Sequence, residues 1–240
     1  MTRVFKKEQL RRIRKRHRGY GYQLVVISLV LLVQPLAVDW PLLTSLNSIV
    51  LALVMMMFLT RYSPLQVHKR WLYGLGIGAI VFETIWLAAL ANSPALAKHL
   101  TIPHLLIWAT FITFFLVRKV RTLMLEPYVT LGVLLGAAAG YLLIGYLGAF
   151  LLHSLFIFQP LAFDLNYLPA GINPLTEPLR AFPSMVTASF EALTTVGNAI
   201  SRPGHLQSHI VTLMITILGQ LYVAVLIGLV LGRFHQRLPK

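Results

Sequence analysis

Residues Phe190-Glu-Ala-Leu-Thr-Thr-Val-Gly-Asn-Ala199 lie between the last two long apolar stretches of the chain, 129–152 and 210–231. The run 183–194 that leads into them has 12 residues, about 18 Å as a helix at 1.5 Å per residue. A bilayer core is roughly 30 Å thick, so a helix of this length enters a membrane without crossing it. Pro183 suits the first turn of such a helix, where its missing N–H is not needed. Ahead of it, the stretch 158–182 is polar and proline-containing (Pro160, Pro169, Pro174, Pro178), as a loop over the membrane would be. Backbone that turns inside a membrane is tolerated only where protein or water surrounds it. The segment therefore predicts a re-entrant helix and loop at a cavity or pore.

Composition sets the class around it. The 240 residues are 57% hydrophobic and only 12% charged, whereas a soluble domain carries about 25% charged residues. Apolar stretches at 22–38, 41–59, 71–91, 103–117, 129–152 and 210–231 predict six transmembrane helices. In lipid only a helix satisfies its backbone groups within one segment, so the expected class is an all-α membrane protein. Nine Lys and Arg precede the first span, and three more follow each of spans two, four and six. That places 18 of the 21 on one side and leaves Lys98, Arg180 and Arg202 for the other. The positive-inside rule then puts both termini in the cytoplasm of a cell inner membrane. The first span follows a long basic region with no small-residue cleavage site, so it is expected to be retained.

The formal charge of +14 reads as topology signal and as contact with anionic lipid headgroups, not nucleic acid. There is no cysteine, and no nucleophile–base set, phosphate loop or metal motif, so no enzyme and no cofactor is expected. The chain divides into a basic tail (1–20), a four-span front (21–125), a pore-like unit (126–234) and a short tail (235–240). Gly132, Gly136 and Gly140 repeat a small-xxx-small spacing that lets membrane helices approach closely.

From residue 126 onward the order of parts resembles the pore domain of the tetrameric potassium-channel superfamily, in particular small prokaryotic ion channels with two to six spans. Thr194-Thr195-Val196-Gly197 matches the start of the T-V-G-Y-G filter, whose carbonyls replace an ion's hydration shell. Glu191 stands four residues before Thr195, where bacterial members carry a buried glutamate, and Gly219 stands 24 after it, at the family's inner-helix hinge. Gln220-Leu221-Tyr222 is also similar to inner-helix sequence of bacterial relatives. The resemblance implies a homotetramer and a selectivity filter formed by Thr195, Val196, Gly197, Asn198 and Ala199. It also implies filter support from Thr194 and Glu191, a gating hinge at Gly219, and K⁺ or Na⁺ as the permeant ion.

The chain departs from that pattern at Asn198 and Ala199, where Tyr and Gly are usual. Ala resists the φ > 0 conformation that Gly takes freely, at about 1 kcal/mol or more. The pore-helix positions that carry bracing aromatics in the family are Thr187 and Ala188, and Ile200 replaces the acid that normally partners Glu191, leaving Arg202 as a candidate partner. Weak K⁺/Na⁺ discrimination is the expected result. A K⁺-selective channel and a non-conducting scaffold or sensor are the alternatives.

The fourth span has no arginine, so voltage sensing is not expected. Arg118, Lys119 and Arg121 are read as anchors at its cytoplasmic end. Glu83, inside the third span, is either functional or a helix–helix hydrogen bond. His205 and His209, four apart near the outer mouth, lack the further ligands a metal site needs.

Overall fold

A computed structural model describes residues 7–61, 69–126, 130–168, 177–197 and 200–235. Among these the chain is helical: α1 (Lys7–Val33), α2 (Leu42–Arg61), α3 (Lys69–Asn92), α4 (Pro94–Met124), α5 (Leu131–Phe158), α6 (Pro178–Leu193) and α7 (Leu206–His235). Short 3-10 turns occupy Gln34–Ala37, Pro160–Ala162 and Leu165–Tyr167. Among the described residues β pairing is limited to one antiparallel bridge, Phe163 to Ser201.

The all-α class is as expected, and α1, α3, α4, α5 and α7 are long and apolar enough to cross a membrane. This is consistent with a multi-pass membrane protein. The remaining predicted span, α2, has 20 residues, of which Leu42–Phe58 is an apolar helix in the described part.

Two boundaries differ from those read in the sequence. The helix predicted over 103–117 is α4, of 31 residues, beginning at Pro94 behind the extended Ser93. Proline at the first helical position lacks only an N–H that would be unbonded anyway, so Asn92-Ser-Pro94 is a break between two helices and 95–102 is helix, not loop. Pro103 is carried inside it. At the other end Arg118 and Lys119 lie within α4 and are buried, so neither is a surface anchor. Lys119 Nζ donates to Gln23 Oε1 of α1 at 2.5 Å and lies 5.6 Å from the Phe58 ring centroid. In addition, α1 starts at Lys7, so residues 7–18 continue the first apolar helix.

The hub is α5: 67% of its apolar window is buried, against 22–33% for the other four candidate spans. Its glycines explain how three helices reach it. A Cβ on Gly136 would lie 2.7 Å from Tyr20 Cδ1 of α1, and one on Gly132 would lie 2.6 Å from His17 Cβ. One on Gly140 would collide with the Tyr222 hydroxyl of α7, which donates to Ala137 O at 2.8 Å. Further along, Gly145 and Gly148 leave room for Phe190 and Ser189 of α6. One continuous core runs from Tyr20 to Tyr222, so front and back helices share it.

Candidate functional site

The site is built round α6, which has 16 residues, or about 24 Å. It begins five residues before the expected start: Pro178 takes the first position, and Pro183 sits inside. Proline inside a helix deprives the carbonyl four residues earlier of its amide, here Leu179 O. The Thr44 hydroxyl of α2 donates to that carbonyl at 3.3 Å. Arg180 Nε donates to Val38 O at 3.1 Å, and His153 Nε2 of α5 lies 2.8 Å from Pro178 O. The start of α6 is thus tied to α2, to the α1–α2 connection and to α5.

The far end of α6 is closed with equal thoroughness. The last four carbonyls of a helix have no partner within it, and deep in lipid each would cost free energy. Phe190 O accepts the Thr194 N–H at 2.9 Å and Glu191 O accepts the Val196 N–H at 2.9 Å. Ala192 O accepts the Thr216 hydroxyl of α7 at 2.9 Å, and Leu193 O accepts the Tyr141 hydroxyl of α5 at 2.9 Å. Ser189 Oγ donates to Gly145 O at 2.7 Å. A helix ending between two long apolar helices is satisfied by hydroxyls that those helices supply.

Beyond it, Thr194, Thr195, Val196 and Gly197 are exposed, Val196 to 78%. Thr195 has φ +60, the only positive φ of a non-glycine among the described residues. A β-branched residue in that region is strained by about 1–2 kcal/mol. Its hydroxyl donates to Thr194 O at 2.6 Å. Asn198 and Ala199 lie outside the described residues. The chain resumes at Ile200, which is fully buried, and Ser201 Oγ is 3.3 Å from Thr212 Oγ1 of α7. An open cleft of about 530 Å³ lies beside this segment, lined among others by Gln34, Pro35, Thr187, Glu191 and Val196.

The other expected residues take these places. Glu191 Oε1 accepts the Tyr167 hydroxyl at 2.5 Å, and Oε2 is buried without a hydrogen-bond partner among the described residues. Arg202, expected as its partner, is not: its side chain is exposed, and its backbone N–H bonds Ala162 O. Gly219 marks where α7 crosses the end of α6, and a Cβ there would lie 2.5 Å from Leu193 Cδ1 and 3.2 Å from Leu193 O. Thr187 donates to Pro183 O at 3.2 Å and Ala188 is buried, so neither supplies a bracing ring.

Two polar groupings were missed in the sequence; for a third, Glu83, a helix–helix hydrogen bond is one alternative the sequence offers, without its partners. Glu83 of α3 meets His104 and Trp108 of α4, at 2.7 Å and 3.0 Å from its Oε2. Glu126, just after α4, pairs with Arg16, whose Nη2 is 2.8 Å from Oε2, and accepts the Tyr20 hydroxyl at 3.2 Å. Tyr167, which meets Glu191, is the other missed group. Each joins residues 21–110 positions apart or lies in a loop without periodicity, so spacing along the chain carried no signal. The hints were the carboxyl of Glu83 inside an apolar span and the charged residues flanking apolar helices at Arg16 and Glu126.

Family models, curated proteins and solved structures were all compared with this chain, and none matches.

Proposed function

We propose that this chain is one subunit of a homotetrameric channel for monovalent cations, with α6 as pore helix and Thr195–Ala199 as filter. The observation that carries the proposal is the end of α6. All four of its terminal carbonyls are bonded by the turn that follows or by hydroxyls of α5 and α7, and the chain then leaves as an exposed turn with Thr195 left-handed. A helix C-terminus carries a partial negative charge, equivalent to about half an elementary charge, which favours a cation beyond it.

The rest of the reading follows. Thr195, Val196 and Gly197 supply carbonyls to dehydrate the ion, and four copies close a ring round it. The exposed apolar side chains of α7, among them Leu213, Ile217 and Leu221, supply the surface against lipid and neighbouring subunits. In this reading α2 completes six spans, both termini are cytoplasmic, and the N-terminal basic residues meet anionic headgroups. Without aromatics at Thr187 and Ala188, discrimination between K⁺ and Na⁺ is weak.

The test is reconstitution of the full chain in planar bilayers under mixed K⁺ and Na⁺. A current reversing between the two equilibrium potentials is expected. Reversal at the K⁺ potential would make the channel K⁺-selective, and the absence of any current would leave a membrane scaffold.

A further inference from the structure

The connection between α5 and α6 grips both flanks of the proposed filter. On the helix side, Tyr167 donates its hydroxyl to Glu191 at 2.5 Å. On the exit side, Asp164 N–H donates to Ile200 O at 2.9 Å, and Arg202 N–H donates to Ala162 O at 3.1 Å, framing the bridge between Phe163 and Ser201. The gripping segment is itself stiff. Tyr167 N–H donates to Asp164 O at 3.1 Å, and Asp164 Oδ1 accepts the Asn166 N–H at 3.0 Å. Phe163 is buried edge-on against Phe156 of α5, with ring centroids 5.7 Å apart. One short piece of chain, 162–167, therefore bonds to residues on both sides of the segment 194–199.

Helix α7 also ties both flanks, through Thr216 to Ala192 O and Thr212 to Ser201 Oγ, but among the described residues the Glu191 carboxylate is bonded by Tyr167. Thr187 and Ala188 offer no ring to hold the loop, and the Arg202 side chain is exposed. The carboxylate's second oxygen is buried and without a hydrogen-bond partner among the described residues. An O–H donor to a carboxylate forms a short, charge-assisted bond, roughly twice as strong as a neutral one. Burial and the Glu191 carboxylate hold the Tyr167 hydroxyl above the usual tyrosine range, so it remains a donor at neutral pH.

We propose that Tyr167 is a positioning residue for ion selectivity: its hydroxyl holds Glu191 and, with the bridge between Phe163 and Ser201, fixes the width of the ion path. The filter is braced from the loop above it, not from its own helix. The proposal rests on the channel reading.

The experiment uses the reconstituted full chain as wild type, Tyr167→Phe, Glu191→Ala, Glu191→Gln and the double variant Tyr167→Phe/Glu191→Ala. Two readouts are taken from each: the K⁺/Na⁺ permeability ratio and the thermal midpoint of the purified protein. Tyr167→Phe and Glu191→Ala are each expected to change the ratio at least about twofold, near the lower limit of coupling for residues in contact. The double variant should change it no further. Glu191→Gln, whose amide oxygen still accepts the hydroxyl but without the charge, should fall between wild type and Glu191→Ala in both readouts. Additive midpoints would show that the bond is absent and overturn the proposal. Coupled midpoints with an unchanged ratio in a conducting protein would overturn the positioning role alone. A wild type with coupled midpoints but no current would defeat the channel reading, and the proposal with it.

Discussion

Glu83 of α3 and His104 of α4 meet inside the helical core, with Oε2 and Nε2 2.7 Å apart and both side chains almost wholly buried. The Trp108 N–H reaches the same carboxylate oxygen at 3.0 Å. His104 in turn stacks on Trp86 with ring centroids 5.0 Å apart, and the Trp86 N–H donates to Ala97 O and to Thr101 Oγ1, each at 3.2 Å. A carboxyl group in a membrane helix is expensive unless paired, and here the pairing welds two front helices together.

Glu83→Ala should therefore act on stability. It strands two buried donors, each costing about 1–3 kcal/mol when unsatisfied. A fall in the thermal midpoint of several degrees is expected, with the permeability ratio unchanged. Glu83→Gln, which keeps an acceptor for Trp108, should lose less. An unchanged midpoint for the alanine variant would reduce the pair to a tolerated contact.

Lys119 and Gln23 should behave as a coupled pair. The Lys119 amino group has one described hydrogen-bond acceptor, Gln23 Oε1, in a pocket with the Phe58 and Phe115 rings. Gln23→Leu removes it and should destabilise the protein by about 1–3 kcal/mol, the scale of a buried donor left unsatisfied. The same change in a Lys119→Met background should cost little, because two apolar groups then face each other. Chemical or thermal unfolding of the four proteins checks this, and additivity would speak against the pairing.

Two glycine-to-alanine changes should move in opposite directions. A Cβ on Gly148 would collide with the Ser189 hydroxyl and lie 2.8 Å from Ile215, whereas one on Gly78 meets nothing within 4 Å. Gly148→Ala should cost about 1–3 kcal/mol through overpacking. Gly78→Ala should gain up to about 1 kcal/mol from helix propensity. Thermal midpoints of the two variants measured side by side decide it, and a common sign would contradict the packing.

The Tyr167–Glu191 bond should survive mild alkali. Because the Tyr167 pKa is raised, the folded state holds the proton more tightly than the unfolded chain. Its stabilising contribution is then fully present below the ordinary tyrosine pKa of about 10 and is lost only as pH rises through the higher folded value. The midpoint difference between wild type and Tyr167→Phe should stay constant from neutral pH to roughly pH 9. A difference that collapsed within that range would show the folded-state hydroxyl losing its proton below the ordinary tyrosine pKa, the opposite of the raised value.

Asn198→Tyr combined with Ala199→Gly should shift the reversal potential toward that of K⁺. Glycine takes φ > 0 without the penalty of about 1 kcal/mol that alanine meets. The small side chains at Thr187 and Ala188 limit the gain, since neither offers a ring to a new tyrosine. A wild-type protein that already excludes Na⁺ strongly would remove the premise.

The helical class was legible because lipid leaves a backbone no other way to bond itself. Apolar stretches near 22–38, 71–91, 129–152 and 210–231 became α1, α3, α5 and α7. The close packing of Gly132, Gly136 and Gly140 was legible too, because glycines four residues apart share one helix face. Such patterns are local, and the chain states them outright.

What faces what was decided only by tertiary structure. Lys119 sits four residues from Phe115 in a basic cluster that reads as an anchor, and is buried because α1 brings Gln23 to it from 96 positions away. Pro183 reads as a helix start and is tolerated within α6 because Thr44, 135 positions before Leu179, supplies the bond that proline takes away. Glu191 reads as a brace awaiting a partner, and receives Tyr167 from a loop with no periodicity to mark it. In each case a buried polar group must find a partner wherever the fold brings one. Spacing along a sequence does not record which distant residue that will be.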